Sequence, residues 1–115
     1  MAWYNASWQY RVKLTLQSSQ ISADLTDFPV YVDLSDLPAD FHTNVKTDGS
    51  DIRITTSDGV TELAREVVSY DAATNTGELH FKYTGTLSST VDTDVYVYYG
   101  NSGATEPAAT ATYGR

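Results

Sequence analysis

The sequence contains no cysteine among its 115 residues. That excludes a disulfide scaffold, a thiolate-ligated zinc or iron–sulfur centre and a thiol nucleophile. Bases are scarce: seven Lys and Arg stand against fifteen Asp and Glu, for a net charge of −8. Such a chain cannot displace counterions from a phosphate backbone, which argues against nucleic acid as a partner. It argues equally against an anionic membrane surface. No run reaches the ~18 consecutive apolar residues of a membrane-spanning helix, so membrane insertion is not expected. Only two His are present, His42 and His80. No Gly-x-Ser-x-Gly, phosphate-binding loop or His-Glu-x-x-His pattern accompanies them. The expectation is therefore a protein that is not an enzyme.

What is present is aromatic and alternating. Nine Tyr, three Phe and two Trp make up 12% of the chain. Tyr10, Val12, Leu14 and Leu16 alternate with Arg11, Lys13 and Thr15, the period of two of a half-buried strand. Phe28, Val30, Val32 and Leu34 alternate with Tyr31 and Asp33. Pro29 lacks an N–H and belongs at a strand start or an edge. Asp51 to Thr56 reads as a third strand, turned by Ser57-Asp58-Gly59 into a returning strand over Glu62 to Tyr70; Asp-Gly between β-rich runs is a strong hairpin signal. Asn75-Thr76-Gly77 marks a further turn. Leu79, Phe81 and Tyr83 form a fifth strand and Val95 to Tyr99 a sixth. Between Ser35 and Ser50 the pattern is irregular, and Phe41 and Val45 are expected to pin that stretch to the core.

Six strands with closely spaced turns and no helix of ten residues predict an all-β fold, an antiparallel β-sandwich of jelly-roll-like form. The expected core is Val12, Leu14, Leu16, Phe28, Val30, Val32, Ile52, Ile54, Leu79, Phe81, Val95 and Val97. The expected organisation is one module over residues 1–103, with residues 104–115 a tail or final strand leading to a downstream domain. Met1-Ala2 and the small, polar end read as the limits of a fragment cut from a longer protein.

The ordered motifs Trp8-x-Tyr10-Arg11, Leu25-Thr26-Asp27-Phe28-Pro29-Val30, Gly49-Ser50-Asp51-Ile52-Arg53-Ile54, Asp58-Gly59, Glu66 with Tyr70-Asp71, and Tyr98-Tyr99-Gly100-Asn101 resemble an uncharacterised bacterial, archaeal and viral domain family. Members of that family often precede laminin-G-like, concanavalin-type lectin modules in large surface or secreted proteins. The resemblance covers nearly the whole chain and rests on the combination, no single motif being specific. It implies a β-sandwich in an extracellular, cell-surface or virion protein, with adjacent domains as partners, and it supplies no activity.

Four groups of residues are candidates for chemistry. Tyr96 and Tyr98 have the parity opposite to Val95 and Val97. With the valines buried, the two tyrosines face outward ~7 Å apart, a strip on which a sugar ring could stack; cross-strand packing is the competing reading. Tyr31 shares this outward parity and could extend the strip, while Trp3 and Tyr4 form an alternative platform. Trp8 is expected in the core with Tyr10. Arg53 and Glu66 lie on the two arms of the hairpin and are expected to form a structural ion pair, with Arg53 otherwise a ligand-binding group. Asp48 and Asp51 could contribute to a calcium site, or Asp48 could cap an Asx turn. Two functions follow: a non-catalytic carbohydrate-binding or adhesion module for a polysaccharide or glycan, or a structural spacer or assembly domain without a small-molecule ligand.

Overall fold

The computed structural model describes residues 3–105. Alternating runs become strands: β1 (Tyr10–Leu16), β2 (Leu25–Asp33), β3 (Arg53–Thr56), β4 (Glu62–Leu63), β5 (Arg65–Asp71), β6 (Thr76–Leu87) and β7 (Thr93–Tyr99). They form two antiparallel sheets, one ordered β1-β7-β3-β4 and the other β2-β6-β5. The molecule is all-β, a sandwich. The first three strands alternate between the sheets and pair with the last two, a nested winding like that of a jelly roll.

The expected returning strand over Glu62 to Tyr70 is two strands. It pairs with β3 only at Glu62 and Leu63, then crosses at Ala64 to the opposite sheet and pairs with β6. This crossing closes one side of the sandwich. On the other side lie the edge strands β1 and β2, each with a single neighbour among the described residues.

Among the described residues helix is confined to α1 (Ala39–Asn44) and two short 3-10 turns, Ser18–Gln20 and Leu34–Asp36. A helix this short does not hold itself together in water. Phe41, wholly buried, anchors α1 to the core, and Val45 N–H closes its end on the Phe41 carbonyl at 2.9 Å. Among the described residues no helix is long and apolar enough to cross a membrane.

Of the expected core, Ile52, Ile54, Leu79, Phe81, Val95 and Val97 are fully buried. They pack with Leu34, Leu37, Leu63 and Tyr99, while Val12, Leu14, Leu16, Val30 and Val32 lie only half-buried against them. The half-buried set belongs to β1 and β2, because edge strands have no neighbour to cover their outer flank.

Phe28 departs from expectation: it is 42% exposed. Asp27 adopts a positive φ of 51°, and the β2–β6 register shifts between Thr26 and Phe28. Such a bulge re-aims the side chain that follows it. Asp27 Oδ1 accepts the Gly85 N–H at 3.0 Å and holds the bulge in place.

The expected module limit at residue 103 is followed by two residues packed on the sandwich. Ala104 is buried, and the Thr105 carbonyl accepts an Arg53 N–H at 2.6 Å. The remainder of the expected tail, 106–115, lies outside the described residues.

Candidate functional site

The aromatic strip is the first candidate, and the structure closes it. The parity read from β7 is right: Val95, Val97 and Tyr99 enter the main core. The opposite face is nevertheless not solvent. Tyr96 is 9% exposed and Tyr98 0%, in a second core with Trp8 and Ala104.

The segment before β1 folds over this face as a strap. The Trp3 ring meets Tyr98 edge-on at 5.1 Å, and Tyr4 lies 5.1 Å from Trp8 and 5.6 Å from Tyr98. The Arg11 guanidinium stacks over Tyr96 at 4.1 Å and over Trp3 at 4.7 Å. Polar tips are satisfied as well. Tyr98 Oη donates to the Gly59 carbonyl at 2.8 Å and accepts from Arg11 at 3.0 Å. Tyr4 Oη donates to Glu62 at 2.9 Å, and burial together with that carboxylate raises the Tyr4 phenol pKa. Tyr96 and Tyr98 therefore cannot present a stacking face.

The other platform residues are dispersed. Tyr31 is 54% exposed, but it lies on β2 in the opposite sheet, edge-on to His80 at 5.4 Å. Trp3 remains 39% exposed, with its indole N–H donated to the Trp8 carbonyl at 2.8 Å. Trp8 is buried, as expected, whereas Tyr10 is only partly covered, stacked on Tyr99 at 5.6 Å.

The ion-pair expectation needs correction. Arg53 Nε stands 3.9 Å from Glu62, not Glu66. The crossing at Ala64 carries Glu66 into the other sheet, opposite His80. Arg53 is buried, and its remaining donors go to the carbonyls of Ser50 at 2.7 Å, Ile52 at 3.1 Å and Thr105 at 2.6 Å. Its guanidinium also lies over Trp8 at 4.9 Å, so its contacts are with the protein's own groups.

Arg65 escaped the sequence reading. Wholly buried, it donates to the carbonyls of Ile52 at 2.9 Å and Ser50 at 3.3 Å. The available signal was a charge on the inward parity of Leu63 and Val67. Together the two arginines satisfy main-chain oxygens where the chain enters β3, a place with no ladder to do so.

The carboxylates considered for calcium face N–H groups. Asp48 Oδ1 accepts from Ser50 N–H at 2.9 Å and Ser50 Oγ at 2.7 Å, an Asx turn that lowers its pKa. Asp51, wholly buried, accepts from the main-chain N–H groups of Lys46, Gly100 and Asn101 at 3.2, 2.8 and 3.1 Å. Among the described residues no group of three His, Asp or Glu side chains is placed to hold a metal ion.

Among the described residues a cleft of about 460 Å³ lies between the edges of β1 and β2. Leu16, Ile21, Leu25, Phe28, Val30 and Leu87 form its apolar walls, with Thr15, Gln17 and Gln20 at the rim. Sequence reasoning placed Leu16, Phe28 and Val30 in the core and so missed it. Alternation assigns a face to a side chain but does not say whether the facing sheet covers it.

No curated protein and no solved structure matches the chain. A family profile described as a domain of unknown function matches residues 48–113, from the Asp48 turn through β7 and beyond. That stretch carries Arg53, Arg65, Tyr96 and Tyr98, the residues that organise the second core and the entry to β3. With more than half of its length matched, the chain belongs to this family of domains of unknown function, DUF2341.

Proposed function

We propose that this domain is a non-catalytic assembly module, which holds neighbouring parts of a larger extracellular or virion protein and recognises polypeptide rather than sugar. One observation carries the reading: the two tyrosines best placed by parity to stack on a sugar, Tyr96 and Tyr98, are consumed by a second core. A sandwich filled on both faces of its central strand is a stiff body, suited to fixing the spacing of its neighbours. The setting that the family resemblance implies, beside other modules of a surface protein, agrees with this use.

The test is a glycan array on the 115-residue chain, followed by titration of any hit. The assembly reading expects no glycan to bind with a dissociation constant below about 1 mM, the weak limit for shallow stacking sites. Reproducible binding that is lost in Tyr31→Ala or Trp3→Ala, with the fold intact, would overturn it in favour of a carbohydrate-binding or adhesion module.

A further inference from the structure

We propose that Asn5 is an attachment site for an N-linked oligosaccharide, with the exposed Trp3 indole as the platform on which its first sugar rests. The proposal takes only its setting, outside the cell or on a virion, from the assembly reading.

Asn5-Ala6-Ser7 carries an amide and, two residues on, a hydroxyl, the pattern that an oligosaccharyl transferase reads. The other three asparagines, Asn44, Asn75 and Asn101, have Lys46, Gly77 and Gly103 at that spacing and lack the hydroxyl.

Three residues alone say little, and the geometry around them decides whether they are usable. Asn5, Ala6 and Ser7 are all exposed. Asn5 Oδ1 accepts the Ser7 N–H at 2.9 Å, and the Asn5 carbonyl accepts the Trp8 N–H at 3.0 Å. This Asx turn employs the oxygen of the amide and brings Ser7 back beside it. Among the described residues no acceptor takes the Asn5 Nδ2, the atom that would carry the sugar. Both ends of the turn are fixed by indoles. Trp3 Nε1 donates to the Trp8 carbonyl at 2.8 Å, and Trp8 itself is buried. The acceptor is therefore an exposed turn on a firm base.

The Trp3 ring stands beside that turn and is 39% exposed. It cannot swing inward: its N–H is engaged, the Arg11 guanidinium lies over it at 4.7 Å, and Tyr98 meets it edge-on at 5.1 Å. Two residues span at most about 7 Å, so a sugar on Asn5 starts within reach of the indole. A pyranose has an apolar face that suits such a ring.

In the transfer, Asn5 Nδ2 attacks the anomeric carbon of an oligosaccharide carried on a lipid diphosphate. An N–C bond forms and the C–O bond to the diphosphate breaks. The lipid diphosphate leaves, and one amide proton passes to a base of the transferase. The product is a bulky hydrophilic group on the strap. It keeps the outer face of the sheet β1-β7-β3-β4 toward solvent and leaves contacts with neighbouring modules to other surfaces.

The 115-residue chain, behind a cleavable secretion leader, is produced in a eukaryotic cell beside a control glycoprotein and weighed intact. The expected result is a heavier form that an amidase specific for glycosyl-asparagine returns to the bare mass, with one asparagine converted to aspartate. Asn5→Asp keeps the acceptor oxygen of the turn and loses the nitrogen. Ser7→Ala keeps the main-chain N–H and loses the hydroxyl. Both should abolish the heavier form without moving the melting curve, and Ser7→Thr should raise its share. Removing the glycan should shift the Trp3 indole signal in nuclear magnetic resonance spectra and leave that of buried Trp8 in place. If secretion fails, translation into microsomes gives the same mass readout. The proposal is overturned by a chain that stays at its bare mass while the control is glycosylated. A glycan that persists in Asn5→Asp, or a Trp3 signal indifferent to the glycan, would also overturn it. A bare chain beside a negative glycan array rejects the modification alone; a glycan confirmed on the array rejects the assembly reading.

Discussion

Trp8 Nε1 donates to the main-chain carbonyl of Asp51 at 2.6 Å, joining residues 43 apart in the chain. The bond pins the strap before β1 to the loop that enters β3. On the same loop residue, the Asp51 carboxylate binds the N–H groups of Gly100 and Asn101. The start of the chain, the entry to β3 and the exit from β7 thus meet at one buried aspartate.

Trp8 substitutions should separate the hydrogen bond from the packing. Trp8→Phe keeps a ring but leaves the Asp51 carbonyl without its donor, a cost of about 1–2 kcal/mol. Trp8→Ala also empties the second core and should cost about 3–5 kcal/mol. Both are read from denaturant midpoints, with near-ultraviolet circular dichroism to follow the loss of aromatic packing. Equal, small effects would contradict a shared second core.

Gly100 sits under the ring of Tyr10. Its φ is +86°, and a Cβ there would lie 2.4 Å from Tyr10 Cδ2. Gly100→Ala should therefore destabilise by about 1–3 kcal/mol through backbone strain and the clash together. Adding Tyr10→Ala should recover the clash part but not the strain, so a double-mutant cycle should show non-additivity. Strict additivity would mean that the ring moves aside at no cost.

Arg53 should couple to Glu62 and not to Glu66. Arg53→Met takes the Arg53 donor from the Thr105 carbonyl and leaves the Ser50 and Ile52 carbonyls to Arg65, and should cost about 1–3 kcal/mol. The Arg53–Glu62 coupling itself should be only about 0.5 kcal/mol, because the 3.9 Å contact includes a carboxylate 25% exposed to solvent. In a double-mutant cycle the Arg53 and Glu66 variants should add within error. Coupling to Glu66 larger than that to Glu62 would contradict the crossing at Ala64.

Acid should weaken the fold through its capping aspartates. Main-chain N–H and hydroxyl donors lower the pKa of Asp24 (from Ser89), Asp48 (from Ser50) and Asp58 (from Thr61 and Val60); the Ser35 hydroxyl and N–H do the same for Asp33. A depressed folded-state pKa gives stability that is complete above the unfolded value near ~4 and is lost as pH falls through the folded value. Denaturant midpoints should thus hold from pH 7 to about 5 and fall below about 4. Asp58→Asn should make the fall shallower. A midpoint unchanged at pH 3 would refute the linkage.

Alkali should act through the tyrosines. Burial raises the phenol pKa of Tyr4, Tyr70 and Tyr99, and for Tyr99 the 2.6 Å hydrogen bond to Asp40 adds to it. A raised folded-state value gives stability that is complete below the unfolded pKa near ~10 and is lost as pH rises past it. Phenolate absorbance should appear in two phases, the later one from Tyr4, Tyr70 and Tyr99, whose ionisation accompanies unfolding. A single phase at the ordinary tyrosine pKa would contradict the burial.

The all-β class, most strand positions, the Asp58-Gly59 turn and the face to which each β7 residue points are legible in the order of residues. These are local properties: a period of two fixes which side chains share a face, and a turn dipeptide fixes where the chain reverses. What covers each face depends on packing between distant parts of the chain. Tyr96 and Tyr98 point away from the main core, as their parity requires, yet lie buried because a strap from the start of the chain folds over them. Glu66 shares the returning run with Glu62 and loses Arg53 because that run leaves one sheet for the other at Ala64. Phe28 has core parity and stands at a cleft because a bulge and an uncovered edge intervene. Alternation records the direction of a side chain relative to its own strand, whereas burial depends on residues far along the chain that no local period encodes.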